Sequence, residues 1–367
     1  MDIRLHTLKV NQPIGTFYIT KISGVSLYEM AKADIITITE NRDDGIQRPL
    51  NEDKVKSIED YLNAYDATFP TSIVLNVTND YIIQQSHEEM VLRKSKNTFS
   101  IIDGQHRLQG FRYSTNPDFE VIVSIFVDLS KEQQARVFAT INSEQTKVDP
   151  SISFYLEKND KLYTPRKIVA QIASTFNIDN KSPWKGKIKL LGTKDNYFND
   201  SVISLSAFAK PILGYIYRDD DFQQIRNELS LNKSDRISEI LQKFKYDYSH
   251  KNYILWEFYA SQNDKAIYKI LFNYFNSFKK VFIKDWGNPK SILTKTTGYN
   301  AMMLLFKDLF LIGYEAKDFS EDLFYYYIRR MEHLDGTINS SKYGASGLKA
   351  SRDLYSEFKK HIGLKNN

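Results

Sequence analysis

Through its first 150 residues the chain alternates β-branched apolar runs with amphipathic stretches, and after Pro150 only helical periodicity remains. The period of two that marks a strand and the period of 3.6 that marks a helix cannot be satisfied by one conformation, so this switch dictates two kinds of architecture in one chain. Strands are expected at 14–23, 71–77, 98–102 and 120–128, and helices at 51–65, 105–114 and 131–143. The helix at 51–65 is the clearest: Val55, Ile58 and Leu62 recur at helical spacing, Glu52 and Asp53 sit in its first turn, and Pro49 stands just ahead. The polar stretch from Ser86 to Asn97 reads as a protruding connection. Beyond Pro150, helices are expected at 152–158, 164–176, 204–217, 221–245, 251–282, 298–313 and 320–334. The fold class that follows is α+β: an N-terminal α+β domain over 1–150, then a mainly α-helical domain over 151–367.

Charge divides at the same place. Residues 1–150 hold 16 Lys and Arg against 21 Asp and Glu, whereas residues 151–367 hold 34 against 24. A basic half can meet a polyanion, and it can equally be a lysine-rich solvated surface. The chain has no cysteine, which excludes thiol catalysis, disulfides and thiolate metal sites. Its six histidines are scattered without a paired helical spacing, which argues against a zinc site. The most apolar stretch, Ala301 to Tyr314, is interrupted by Lys307 and Asp308, and the first residues lack the plan of a signal peptide. The expectation is a cytoplasmic protein without membrane contact.

Three short segments carry polar chemistry. Gly45-Ile46-Gln47-Arg48-Pro49-Leu50 precedes the helix at 51–65 and puts Arg48 at its entrance, where a cation opposes the helix dipole. A bound anion would resolve that conflict, as would a pair with Glu52 or Asp53. Asp103-Gly104-Gln105-His106-Arg107 lies where a strand ends and a helix begins. A glycine bend feeding the partly positive end of a helix can cradle phosphate oxygens, and Arg107 adds a forked cation. Asp103 is expected to act as the N-cap of that helix. His106 is open to three roles, as phosphate donor, proton shuttle or core residue, and Gln105 can orient water or bond a base or ribose. The third segment runs from Phe138 to Lys147 and clusters Asn142, Glu144, Gln145 and Lys147 at the close of a helix. Glu144 is a candidate magnesium ligand, while Asn142 in a left-handed helix cap is the plainer alternative.

Taken in order, these segments resemble the DGQHR-domain family, the DndB-like group associated with DNA sulfur modification. The resemblance rests on residues 103–107 with Gln47-Arg48, Phe69-Pro70-Thr71-Ser72-Ile73 and Ile141-Asn142-Ser143-x-Gln145, and more weakly on Lys295–Tyr299 and Ser346-Gly347. More distantly, the first half is similar to the ParB/sulfiredoxin superfamily, with corresponding boxes at 48–77, 103–112 and 131–147. That similarity implies ATP or another nucleoside triphosphate with Mg2+ near Gly104, Gln105, His106 and Arg107, flanked by Arg48, Asp103, Asn142 and Gln145. Sulfinate reduction needs a cysteine at the turn and is excluded. ParB proteins carry two adjacent arginines where this chain has His106 and Arg107, so a cytidine preference does not carry over.

The resemblance implies a nucleotide-dependent DNA-binding protein of a DNA modification or phage-defence system, which regulates phosphorothioation or its gene cluster. Expected partners are double-stranded DNA, other proteins of the system and a second copy of the chain. One alternative is an NTPase or NTP-dependent nuclease with Gln105 and His106 as catalytic residues; another is a repressor without nucleotide turnover. Candidate phosphate contacts in the basic half are Lys185, Lys187 and Lys189, whose alternation suggests one face of a strand, and Lys279, Lys280 and Lys284.

Overall fold

A computed structural model describes residues 2–33, 37–39, 42–44, 50–114, 116, 118–144, 149–193, 200–232, 236–244, 246, 252–343 and 347–364. The chain divides into two compact units, Met1–Lys147 and Val148–Asn367. It is mixed α and β, with the main sheet in the first unit and helices dominating the second.

The first unit runs β1 (Asp2–His6), β2 (Leu8–Gln12), β3 (Gly15–Ser23), α1 (Gly24–Met30), β4 (Ala31–Ala33), β5 (Thr37–Thr39), β6 (Arg42–Asp44), α2 (Glu52–Leu62) and β7 (Ile73–Val77). It continues through β8 (Ile82–Gln85), β9 (Glu89–Arg93), β10 (Phe99–Asp103), α3 (Gln105–Gln109), β11 (Glu120–Val127) and α4 (Lys131–Glu144). Six strands form the main sheet in the order β2-β3-β11-β7-β10-β4. β7 lies inside it, parallel to β11 and antiparallel to β10. Its five residues are all buried, as a strand covered on both faces requires. Ile73, Leu75 and Val77 join Phe99, Ile101, Val121, Val123 and Ile125 on one face, with Leu27, Leu108 and Phe111 from the helical segments. Val74 points the other way, into a smaller cluster with Ile102, Phe126 and Val137 of α4. Period two thus sorts one apolar run into two cores.

Ser86–Asn97 is not a protruding connection. Its middle is β9, which pairs with β1 and β8, and Met90 and Leu92 are fully buried. The three apolar residues are hidden in the sequence by Glu88, Glu89, Arg93 and Lys94 on either side.

The second unit begins at α5 (Pro150–Glu157), where Asp149 caps through Oδ1 to the Ser151 N–H at 2.8 Å and Pro150 opens the helix. There follow α6 (Pro165–Ile178), β12 (Ile188–Lys189), β13 (Ile203–Ser204), α7 (Leu205–Gly214), α8 (Phe222–Leu231), α9 (Ile237–Leu241), α10 (Trp256–Ala260) and α11 (Asp264–Val281). The unit closes with α12 (Thr296–Ala316), α13 (Glu321–Ile328), α14 (Ser340–Tyr343) and α15 (Leu348–Ile362). The expected helix at 251–282 is two, because Asn263 caps α11 by accepting from the Ala266 N–H at 3.2 Å. The stretch 221–245 likewise holds α8 and α9 as separate helices. The interior is aromatic: Trp184 is fully buried against Phe208, Phe275, Trp286 and Tyr299. Buried tyrosines keep their hydroxyls bonded, as where Tyr299 donates to the Phe208 carbonyl at 2.7 Å and Tyr215 to Met303 at 2.6 Å. Among the described residues no helix is long and apolar enough to cross a membrane.

Candidate functional site

β10 ends at Asp103, and the chain turns through Gly104 at φ 98° and ψ 14° into α3. That left-handed conformation suits glycine, and a Cβ there would stand 3.1 Å from Ile73 Cγ1. Gly104 is therefore the N-cap residue, and α3 has no side-chain cap bond. This corrects the expected capping role of Asp103: the strand extends one residue further than the sequence suggests, so the cap position passes to the glycine. The Asp103 carboxylate instead meets Arg107 one helical turn on, Oδ2 to Nη2 at 3.2 Å.

Arg107 does more than pair with Asp103. Nη1 donates to the Thr71 carbonyl at 2.7 Å and to Thr71 Oγ1 at 2.8 Å, and Nη2 donates to the Ser72 carbonyl at 3.0 Å. Both terminal nitrogens are thus turned onto the chain that leads into β7. The guanidinium fork locks the corner to the neighbouring strand, using the geometry that makes arginine suited to carbonyl and carboxylate oxygens.

His106 faces α2. Its Nε2 accepts from the Asn51 N–H at 3.3 Å, while Asn51 Oδ1 caps α2 through the Lys54 N–H at 3.0 Å. An accepting Nε2 places the proton on Nδ1. Burial and the nearby Lys54 charge lower the His106 pKa below the usual 6.5, against a smaller opposing pull from Asp103. Gln105 is buried. At the other end of α3, Gly110 lets α2 approach closely: a Cβ would lie 2.4 Å from Ile58 Cγ2.

The corner is one strand away from a cavity on the opposite face of the sheet. Sheet register aligns Asp103 with Val74 and Val74 with Ser124. Val74 and Ser124 line a cavity of about 440 Å³ together with Val137, Thr140 and Ile141 of α4 and with Phe17. Ser124 Oγ donates to Ser72 Oγ at 3.0 Å, and Ser72 is the residue whose carbonyl Arg107 holds. Gln134 fixes the start of α4 by donating to the Leu129 carbonyl at 2.9 Å and accepting from Ser100 Oγ at 3.2 Å. α4 then runs back over the sheet, so its last turn, with Asn142 and Glu144, follows directly on the cavity-lining Thr140 and Ile141.

A family match covers nearly all of this unit and the start of the next. Residues 5–192 match the DndB family, described as DNA-sulfur modification-associated. The chain belongs to the DndB family. The match spans the sheet, the Asp103–Arg107 corner, α4 and the first helices of the second unit. A search of the curated proteins returns no match for this DndB-family chain.

The other expected site residues are less informative. Arg48 and Gln145 lie outside the described residues, as does Lys147. No group of three or more His, Asp or Glu residues suited to a metal ion occurs among the described residues. In the second unit, the lysines at 185, 187 and 189 do not line a strand face, because β12 is only Ile188–Lys189. Lys185 donates to Asn180 Oδ1 at 2.5 Å, and burial depresses the pKa of the half-buried Lys187. Lys279 and Lys284 are exposed, and Lys280 is held by Glu321. Sequence reasoning assigned no role to Thr71, Ser72 or Asn51. The partners they offer are mostly backbone atoms, which every residue type carries.

Proposed function

We propose that this chain is a DNA-associated component of a DNA sulfur modification system, and that its first unit takes a nucleoside triphosphate beside the Asp103–Arg107 corner. The observation that carries this reading is that Asp103 pairs with Val74, and that Val74 lines one cavity with Thr140 and Ile141 of the second motif segment. A volume of about 440 Å³ lies within the range of small-ligand pockets. Its apolar walls suit a base, and Ser124 adds a hydroxyl bonded to Ser72, the residue whose carbonyl Arg107 holds.

In this reading the base lies in the cavity and the phosphates round the end of β10 to reach Gly104, Gln105 and His106, with Arg48, Asn142 and Gln145 flanking them and Glu144 toward Mg2+. Arg107 acts by holding the corner rigid, since both of its terminal nitrogens are engaged within the protein. Nucleotide occupancy would regulate DNA association, and through it modification or expression of the system, together with partner proteins or a second copy. Hydrolysis is less favoured than binding: His106 Nε2, the atom suited to take a proton from water, already accepts the Asn51 N–H.

The test is equilibrium binding of a fluorescent ATP analogue with Mg2+ to the full chain and to Thr140→Trp. Thr140 is exposed at the cavity rim, so the larger ring can fill the space from the helix surface. The expected loss of affinity is about tenfold or more, equivalent to about 1.4 kcal/mol, with the melting temperature retained. Unchanged affinity in a folded variant rules the cavity out. Gel shifts of phosphorothioated and unmodified duplexes, with and without ATP, test the coupling to DNA.

A further inference from the structure

The first unit is acidic overall, yet it gathers cations at one place away from the corner's cavity. A cleft of about 820 Å³ is walled by Tyr28, Glu29, Lys32, Leu50, Lys94, Lys96 and Gln109. Lys32 lies on β4, the edge strand of the main sheet. Lys94 and Lys96 belong to the turn that joins β9 to β10.

That turn is rigidly built. Thr98 is buried; its Oγ1 accepts from the Ser95 N–H at 2.8 Å and donates to the Arg93 carbonyl at 2.9 Å. The Thr98 N–H donates to the Ser95 carbonyl at 3.2 Å. Parallel pairing of β10 with β4 then sets Phe99 beside Ala31 and Ser100 beside Lys32. One strand pairing therefore fixes the lysine of the edge strand relative to those of the turn. Lys94 is partly neutralised by Glu29 at 3.1 Å. Lys32 and Lys96 are exposed and form no ion pair with any described residue.

Two ammonium groups with no ion-pair partner among the described residues, beside a tyrosine and a leucine and with a glutamine alongside, match the chemistry of a nucleic acid strand. Lysines neutralise phosphates, and an aromatic face accepts a base or sugar. We propose that this cleft holds the sugar-phosphate backbone of DNA, with Lys32 and Lys96 as its phosphate contacts and Tyr28 as its stacking surface. The inference rests on the DNA reading above in taking DNA as the polyanion. Gln109 ends α3, which begins at Gln105, so DNA held here would lie at the far end of the motif helix.

The experiment is fluorescence anisotropy of a short duplex and a short single strand across a NaCl series, using the full chain. The variants are Lys32→Ala with Lys96→Ala, the same pair to Arg, and Lys56→Ala as a control on the exposed face of α2. The alanine pair is expected to weaken DNA binding about tenfold and lower the salt slope by about 2, near one for each phosphate no longer neutralised. The arginine pair is expected to retain both affinity and slope, and Lys56→Ala to match wild type. If wild type binds DNA and the folded alanine pair binds equally well, the cleft assignment fails while the DNA reading stands. If wild type binds no DNA, both fall. If the alanine pair loses ATP affinity and keeps its DNA affinity, the cleft holds a nucleotide, and the assignment of DNA to it is overturned.

Discussion

The two units carry opposite net charge, yet the acidic one has the cleft with the better credentials for an anion. In the basic helical unit, many cations are spent on neighbours: Lys243 on Glu228, Lys280 on Glu321, Lys342 on Glu357 and Arg166 on Asp219. In the acidic unit, an edge strand and a stapled turn set Lys32 and Lys96 at one cleft with no ion-pair partner among the described residues. Net charge describes long-range attraction, whereas a binding site needs cations held in place and left unsatisfied. The units also differ in what holds them together. The helical unit rests on interlocked aromatic rings, and the sheet unit adds a polar clamp at its motif corner.

The largest expected effect separates these two modes of stabilisation. Trp184→Ala removes a fully buried ring from four aromatic neighbours and should cost about 3–5 kcal/mol in the second unit, read by chemical denaturation. DNA binding through the Lys32 cleft should survive wherever the first unit remains folded. A cost below about 1 kcal/mol would mean that the aromatic network is not what holds this unit.

Arg107→Ala comes next. It leaves the Thr71 and Ser72 carbonyls and the Asp103 carboxylate without their shared donor, at an expected cost of about 2–3 kcal/mol. Arg107→Lys should recover only part of this, because an ammonium cannot reproduce the fork. An alanine variant as stable as wild type would remove the clamp and return Arg107 to the role of a phosphate ligand.

Thr98→Val is a gentler probe of the basic turn. It leaves the Ser95 N–H and Arg93 carbonyl without their hydroxyl partner, at about 1–2 kcal/mol, and should weaken DNA binding without removing a charge. Normal DNA affinity in this variant would show that the turn need not be rigid.

The smallest effect is a pH dependence. His106 has a lowered pKa in the folded state, so the unfolded chain binds its proton first as the pH falls. The contribution is full above about pH 6.5 and is lost as the pH drops through the lowered folded value, where the acceptor for the Asn51 N–H disappears. His106→Gln should flatten that part of the stability profile in denaturation at stepped pH. A profile that His106→Gln leaves unchanged would show that the bond to Asn51 contributes nothing.

Much of the fold was legible because its signals are local. The buried run Ile73–Val77, the amphipathic spacing of Val55, Ile58 and Leu62, and the glycine between β10 and α3 each mark an element without reference to the rest of the chain. β9 was not legible, because three apolar residues between charges acquire meaning only when β1, far away in sequence, pairs with them. The same limit applied at the site. Residues 103–107 stood out as a turn, but the cap position hinges on a single residue, and Asp103 lost it to Gly104 when the strand extended. The partners of Arg107 are largely carbonyls, which no side-chain pattern announces. Lys32 and Lys96 are 64 positions apart in sequence and come together only through the β4–β10 pairing.

The most direct test sets the two units against each other. The salt dependence of duplex binding should be measured for the full chain with Lys32→Ala and Lys96→Ala, and separately with Lys279→Ala and Lys284→Ala. Both pairs remove two exposed lysines, one from the acidic unit and one from the basic unit. The first pair should lower the slope by about 2 and the second should leave it within about 0.5 of wild type. The reverse result, a slope lowered only with the helical pair, would contradict the claim that placement rather than net charge decides where DNA is held.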